Sequence, residues 1–89
     1  MATIIKVNGD KIEVSKEQKL DLEFMQSVVG GYIERISLFD GRAMYINEEG
    51  KMKGLPKNDQ ATFLADLSGI SPDDCVVGDV IILTEEEES

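Results

Sequence analysis

The chain has 89 residues, 18 acidic and 9 basic, with one cysteine, no histidine and a net charge of −9. A domain this small has a modest core and depends on apolar packing, because a lone Cys75 permits neither an internal disulfide nor a multi-cysteine metal site. The charge repels phosphate backbones and argues against direct nucleic-acid binding, and no apolar run approaches the ~20 residues of a membrane helix. The opening residues carry no basic region ahead of a long apolar run, so no secretory leader is expected and the expected compartment is the cytoplasm.

In chain order, Thr3-Ile4-Ile5-Lys6-Val7 reads as a strand and Lys11-Ile12-Glu13-Val14 as its partner. Asn8-Gly9 between them predicts a hairpin with a type I′ turn, since both residues tolerate positive φ. Ile12 and Val14 alternate with Lys11 and Glu13, which gives the second strand one wet face. After a polar connector, Ser15 to Lys19, Asp21 is the expected cap of a helix, with Leu20 and Met25 spaced as a hydrophobic staple. Leu22, Met25, Val28 and Val29 make its apolar face, Gly30 ends it, and Gly31 adds a second flexible joint.

Tyr32 to Phe39 reads as a strand, Asp40-Gly41 as a second type I′ turn, and Arg42 to Ile46 as the returning strand. A turn at Asn47-Glu48-Glu49-Gly50 leads into Lys51-Met52-Lys53. The segment Gly54-Leu55-Pro56-Lys57-Asn58 is irregular, because Pro56 lacks a donor and keeps Leu55 out of the helical region. A second helix is expected with Asn58 or Asp59 as cap, Ala61, Leu64, Ala65 and Leu67 facing inward, and a stop at Gly69. Ser71-Pro72-Asp73-Asp74 predicts one tight turn. Val76 to Leu83 is apolar enough for a central strand covered on both faces.

These elements give an α+β domain over residues 1–84: one small mixed or antiparallel sheet with two helices, in the order ββαββαβ. Helices on one face and a β-grasp-like layout, with the first hairpin and last strand central, are the expected arrangement. Residues 85–89 are expected to form an acidic disordered tail. Setting aside its four glutamates, the remaining 14 acids against 9 bases leave the body at −5.

Catalysis finds little material here. Without histidine there is no Ser-His or Cys-His pair, and Cys75 follows two aspartates that make it a poor nucleophile. Glu48-Glu49 and Asp73-Asp74 lack the alternating ligands and glycine of a calcium loop. The expectation is a non-enzyme with no catalytic residue, metal or cofactor. Val29-Gly30-Gly31-Tyr32 joins a helix to a strand, the reverse of a phosphate loop. A small nucleotide-like ligand can still use glycine backbone N–H groups and an aromatic wall. Gly30, Gly31, Tyr32, Asn47, Lys51, Gly54, Pro56 and Asn58 are therefore the candidate ligand-binding residues. Lys51, Lys53 and Lys57 form the one basic cluster, which either balances Glu48 and Glu49 across a hairpin or receives an anionic group.

Several segments, taken in order, resemble one family. They are Val29-Gly30-Gly31-Tyr32-Ile33-Glu34, Asp40-Gly41, Asn47-Glu48-Glu49-Gly50-Lys51, Gly54-Leu55-Pro56 with Asn58 and Ala61, and Val77-Gly78-Asp79-Val80. The family comprises small proteins catalogued only as a domain of unknown function, number three-eight-four-six. The resemblance runs from about Val28 to Leu83, with the N-terminal hairpin in keeping. It implies a phage or mobile-element origin, hence a viral protein of the host cytoplasm, and carries no activity or catalytic residue. It also draws attention to Glu34, Glu48, Gly50 and Asp79. The expected function is that of a non-enzymatic protein acting on a host protein through an acidic surface. The alternatives are a sequestering protein for a small nucleotide-like ligand, and a self-associating module. The latter would be a homodimer formed through an exposed edge strand or a Met25/Met44/Met52 surface. Neither direct nucleic-acid binding nor a membrane partner is expected.

Overall fold

The computed structural model describes residues 1–69 and 75–88. Its elements are β1 (Thr3–Ile5), β2 (Lys11–Glu13), α1 (Leu22–Val29), β3 (Ile33–Ser37), β4 (Ala43–Asn47), α2 (Asp59–Leu67), β5 (Val80–Leu83) and α3 (Glu85–Glu88). The five strands form one antiparallel sheet in the order β2-β1-β5-β4-β3. The α+β class and the order ββαββαβ are those read from the sequence, with one further helical turn at the end. β5 is central with β1 beside it, while β2 forms an edge.

Each face of the sheet carries its own helix. Successive strand residues point to opposite faces. On β5, Val80 and Ile82 pack with Ile5, Met44, Ala61 and Ala65 beneath α2. Ile81 and Leu83 pack with Ala2, Val14 and Met25 beneath α1. The helices thus lie on opposite faces rather than on one. All four residues of β5 are buried, so both faces need cover. Leaving one face open would return side chains worth ~1.5–3 kcal/mol each to water.

Neither hairpin has a type I′ turn. That turn needs positive φ at two central residues, and among the described residues only glycines have positive φ, Gly9 and Gly41 included. Lys6 N–H donates to Asp10 O while its carbonyl accepts from Gly9 N–H; Leu38, Arg42 and Gly41 repeat the pattern. Both are three-residue loops, a type I turn closed by a glycine bulge. Asn8 and Asp40 hold the same loop position, and each Oδ1 accepts the N–H two residues on, at 2.9 and 3.2 Å. That local bond stabilises the turn with Asn8 and Asp40 outside the left-handed region, which only the glycine enters.

Helix α1 is capped by Asp21, whose Oδ1 accepts from Phe24 N–H at 2.9 Å, and it ends at Gly30 with φ 84°. Leu20 and Met25 join the same core cluster, as a staple requires. Leu22 shares the apolar face by spacing yet is 56% exposed. Helix α2 is capped by Asn58 and buries Ala61, Thr62 and Ala65. Leu67, expected to face inward, is exposed, because two residues beyond Ala65 is about 200° around the helix. The apolar run before the C-terminus is broken at Gly78, φ 79°, so the ladder holds only Val80–Leu83, and Val77 makes a single bridge to Lys57. The turn predicted at Ser71-Pro72-Asp73-Asp74 lies outside the described residues.

The acidic run is not a disordered tail over residues 85–88. Thr84 Oγ1 accepts from Glu87 N–H, and Glu87 Oε1 accepts from Thr84 N–H at 2.9 Å, a reciprocal capping box. Carboxylates in a first helical turn also meet the positive end of the helix dipole.

Candidate functional site

Three polar residues flagged by the sequence hold the fold. Asn58 is 1% exposed and caps α2 by accepting from Ala61 N–H at 3.1 Å. Its Nδ2 donates to Ile5 O and Gly78 O, both at 3.0 Å, which ties the start of α2 to β1 and to the approach to β5. Asn47, 4% exposed, donates to Val29 O at 3.1 Å and accepts from Glu49 N–H at 2.8 Å. It joins the end of α1 to the turn after β4. Asp79 accepts from Val7 N–H at 2.9 Å and fixes the first hairpin loop to β5. These bonds satisfy groups whose burial otherwise costs ~1–3 kcal/mol each.

Leu55 is the packing centre of the irregular loop. Its N–H donates to Gly50 O, and Gly78 N–H donates to Pro56 O. A Cβ on Gly78 would stand 2.8 Å from Leu55 Cδ1, and one on Gly50 would stand 2.7 Å from Val77 Cγ2. Close approach therefore explains both glycines, and Gly78 has a positive φ as well.

The candidate ligand residues do not converge on one pocket. Gly30 and Pro56 meet, with Val28, Leu55 and Gly78, along an open groove of about 340 Å³. Asn47 and Lys51 line a separate cleft of about 440 Å³. Gly31 lies against the Asn47 amide and Lys53 Nζ. Tyr32 is exposed and lines neither depression, Gly54 is exposed at positive φ, and Asn58 is sealed inside.

The larger cleft lies on the α2 face, between the β3–β4 hairpin and the segment entering β5. Ile36, Ile46, Val76 and Val77 give it apolar walls, and Cys75 borders it half-buried. Glu34 pairs with Ile46 across the ladder, and Glu48 N–H donates to Tyr32 O two pairs further along. This register sets Glu34 and Glu48 as diagonal neighbours on one face, both exposed and both lining the cleft. Like charges so placed repel, and a cation between them relieves the repulsion; Lys51 borders the same cleft.

On the α1 face the C-terminal acids are anchored. Arg35 donates from Nε and Nη2 to the Glu88 carboxylate at 2.7 and 2.9 Å, and from Nη1 to Ser37 Oγ at 2.8 Å. Tyr45 OH donates to Glu88 Oε2. Hydrogen bonds from Arg35 and then Tyr45 lower the Glu88 carboxyl from its ordinary 4.5 to about 2. Burial, followed by the bond to Glu88, raises the Tyr45 hydroxyl. Sequence reasoning missed this triad. Its partial signal was Thr84-x-x-Glu87, a capping-box spacing hidden inside a charge run.

Fold and surface together define a small α+β domain, an antiparallel sheet with helices on both faces and open depressions along its surface. The chain belongs to the family described as Domain of unknown function (DUF3846), whose model matches residues 1–89. Membership agrees with the family resemblance read from the sequence. Neither a curated protein nor a solved structure matches the chain. Among the described residues no helix is long and apolar enough to cross a membrane.

Proposed function

We propose that the chain is a non-enzymatic binding protein of phage or mobile-element origin. It acts in the host cytoplasm, receiving a basic loop of a host protein in the cleft bordered by Glu34 and Glu48. The supporting observation is the pairing of two exposed carboxylates with apolar walls, which suits a lysine- or arginine-bearing segment with an apolar neighbour. A net charge of −9 adds long-range steering toward a basic surface, an effect that weakens with salt. Asn47 and Asn58, candidate ligand residues, and Asp79, singled out by the family resemblance, are engaged in hydrogen bonds to the backbone.

The test is capture from host lysate by the immobilised chain at low and at physiological salt, beside the E34K/E48K variant. Specific proteins retained by the native chain and lost by the variant support the reading. Retention of nothing, or equal retention by both, overturns it.

The groove at Gly30, Leu55, Pro56 and Gly78 favours a second reading, a binder of small nucleotide-like ligands, because there the two glycine-rich segments do meet. A ligand at 100 times its dissociation constant stabilises the fold by ~2.7 kcal/mol. Thermal-shift screening against nucleotides therefore decides it, and a panel without any shift removes it.

A further inference from the structure

The sheet ends in two edges, and one of them is complementary to itself. All three residues of β2 are exposed. Along its ladder with β1, Lys6 N–H donates to Asp10 O, Val14 N–H donates to Ala2 O, and Ile4 pairs with Ile12 between them. Antiparallel residues bond alternately toward and away from a given neighbour. The N–H and C=O of Ile12 therefore point to β1, and those of Lys11 and Glu13 point outward. No described backbone group outside the ladder bonds to them.

We propose that this edge binds a second copy of the chain, β2 against β2, antiparallel about a twofold axis through Ile12. In that register Lys11 of each copy lies opposite Glu13 of the other, and Ile12 faces Ile12. Every outward N–H and C=O of Lys11 and Glu13 gains a partner, since both residues occupy the bonding positions. Ile12 takes the closer, non-bonded position, where side-chain contact is tightest. Lys opposite Glu is a favourable cross-strand pair, and the symmetry supplies it twice. Thr3 Oγ1 donates to Glu13 Oε1 at 3.1 Å and helps hold that carboxylate on the α2 face.

The other edge lacks this property. Pairing the whole of β3 with itself sets Arg35 opposite Arg35, and that guanidinium is already engaged by Glu88. Beside β2, in contrast, an apolar groove of about 410 Å³ runs between Lys11 and α2, with Ile5, Leu64 and the 63% exposed Phe63 along it. A second copy arriving at β2 approaches this groove, which adds apolar cover to a three-residue strand pairing.

Sedimentation velocity on the native chain, up to millimolar concentration, tests the proposal. The expected result is a shift from the mass of one 9.8 kDa chain toward twice that mass. K11E and E13K each set like charges opposite one another and are expected to remain monomeric. The K11E/E13K double variant restores opposite charges and recovers the dimer, and an equimolar mixture of the two single variants forms a mixed dimer. Circular dichroism checks that each variant stays folded. A native chain that remains monomeric overturns the proposal. Single variants that dimerise as well as the native chain, or a double variant that fails to recover, do so equally.

Discussion

The Glu88 carboxylate accepts two hydrogen bonds from Arg35, at 2.7 and 2.9 Å, across a separation of 53 residues. That contact makes the end of an acidic run part of the fold. The hydrogen bonds place the Glu88 carboxyl at about 2 rather than 4.5. A depressed folded pKa means the contribution to stability is complete above 4.5 and is lost as pH falls toward about 2. Carboxyl-detected NMR titration checks this directly. R35A is expected to return the Glu88 midpoint most of the way to 4.5, and Y45F part of the way. A native midpoint near 4.5 contradicts the docked geometry.

The capping box gives a second, independent handle on the same segment. T84A removes the hydroxyl that receives Glu87 N–H and is expected to cost ~0.5–2 kcal/mol. Amide exchange across residues 85–88 should speed up, with the core strands unchanged. Unaltered exchange in T84A means that the box does not hold α3.

Asn58 is the most consequential single polar residue. N58A deletes a helix cap worth ~1 kcal/mol and leaves the carbonyls of Ile5 and Gly78 without their donor, at ~1 kcal/mol or more each. A total near ~3 kcal/mol is expected in urea denaturation. N58D keeps the cap but turns a carboxylate toward two carbonyls, so at neutral pH it should be no more stable than N58A.

The positions of the hairpins, both helix caps and the glycine stop of α1 were legible in the sequence, because each rests on contacts within a few residues. The turn type was not. Asn8-Gly9 and Asp40-Gly41 suit a type I′ turn by composition, yet the side-chain oxygens of Asn8 and Asp40 stabilise the longer loop. Helix placement was also hidden. The four apolar residues of β5 announced cover on both faces, but nothing local assigned α1 to one face and α2 to the other. In the candidate site, the capping role of Asn58 was legible, but the bonds from the Asn47 and Asn58 amides to Val29 O and Ile5 O were not, since those partners lie 18 and 53 residues away. Glu34 and Glu48 come together only through the register of β3 on β4.

Glycine substitutions separate close approach from backbone conformation. G54A meets open space and pays only for its left-handed φ of 69°, ~1–2 kcal/mol. G78A adds the collision with Leu55 and should cost distinctly more. Trimming the neighbour in G78A/L55A should recover part of that difference in a double-mutant cycle. Equal costs for G54A and G78A, with no coupling to Leu55, contradict the packing described for this loop.

The proposal that carboxylates beside an apolar cleft receive a basic partner is tested most directly by amide chemical-shift mapping. The labelled chain is titrated with the host protein captured in the lysate experiment. Shifts are expected to centre on Glu34, Ile36, Ile46, Glu48 and Val76, and to shrink as salt rises. Shifts confined to Gly30, Leu55 and Gly78, or absent altogether, contradict it.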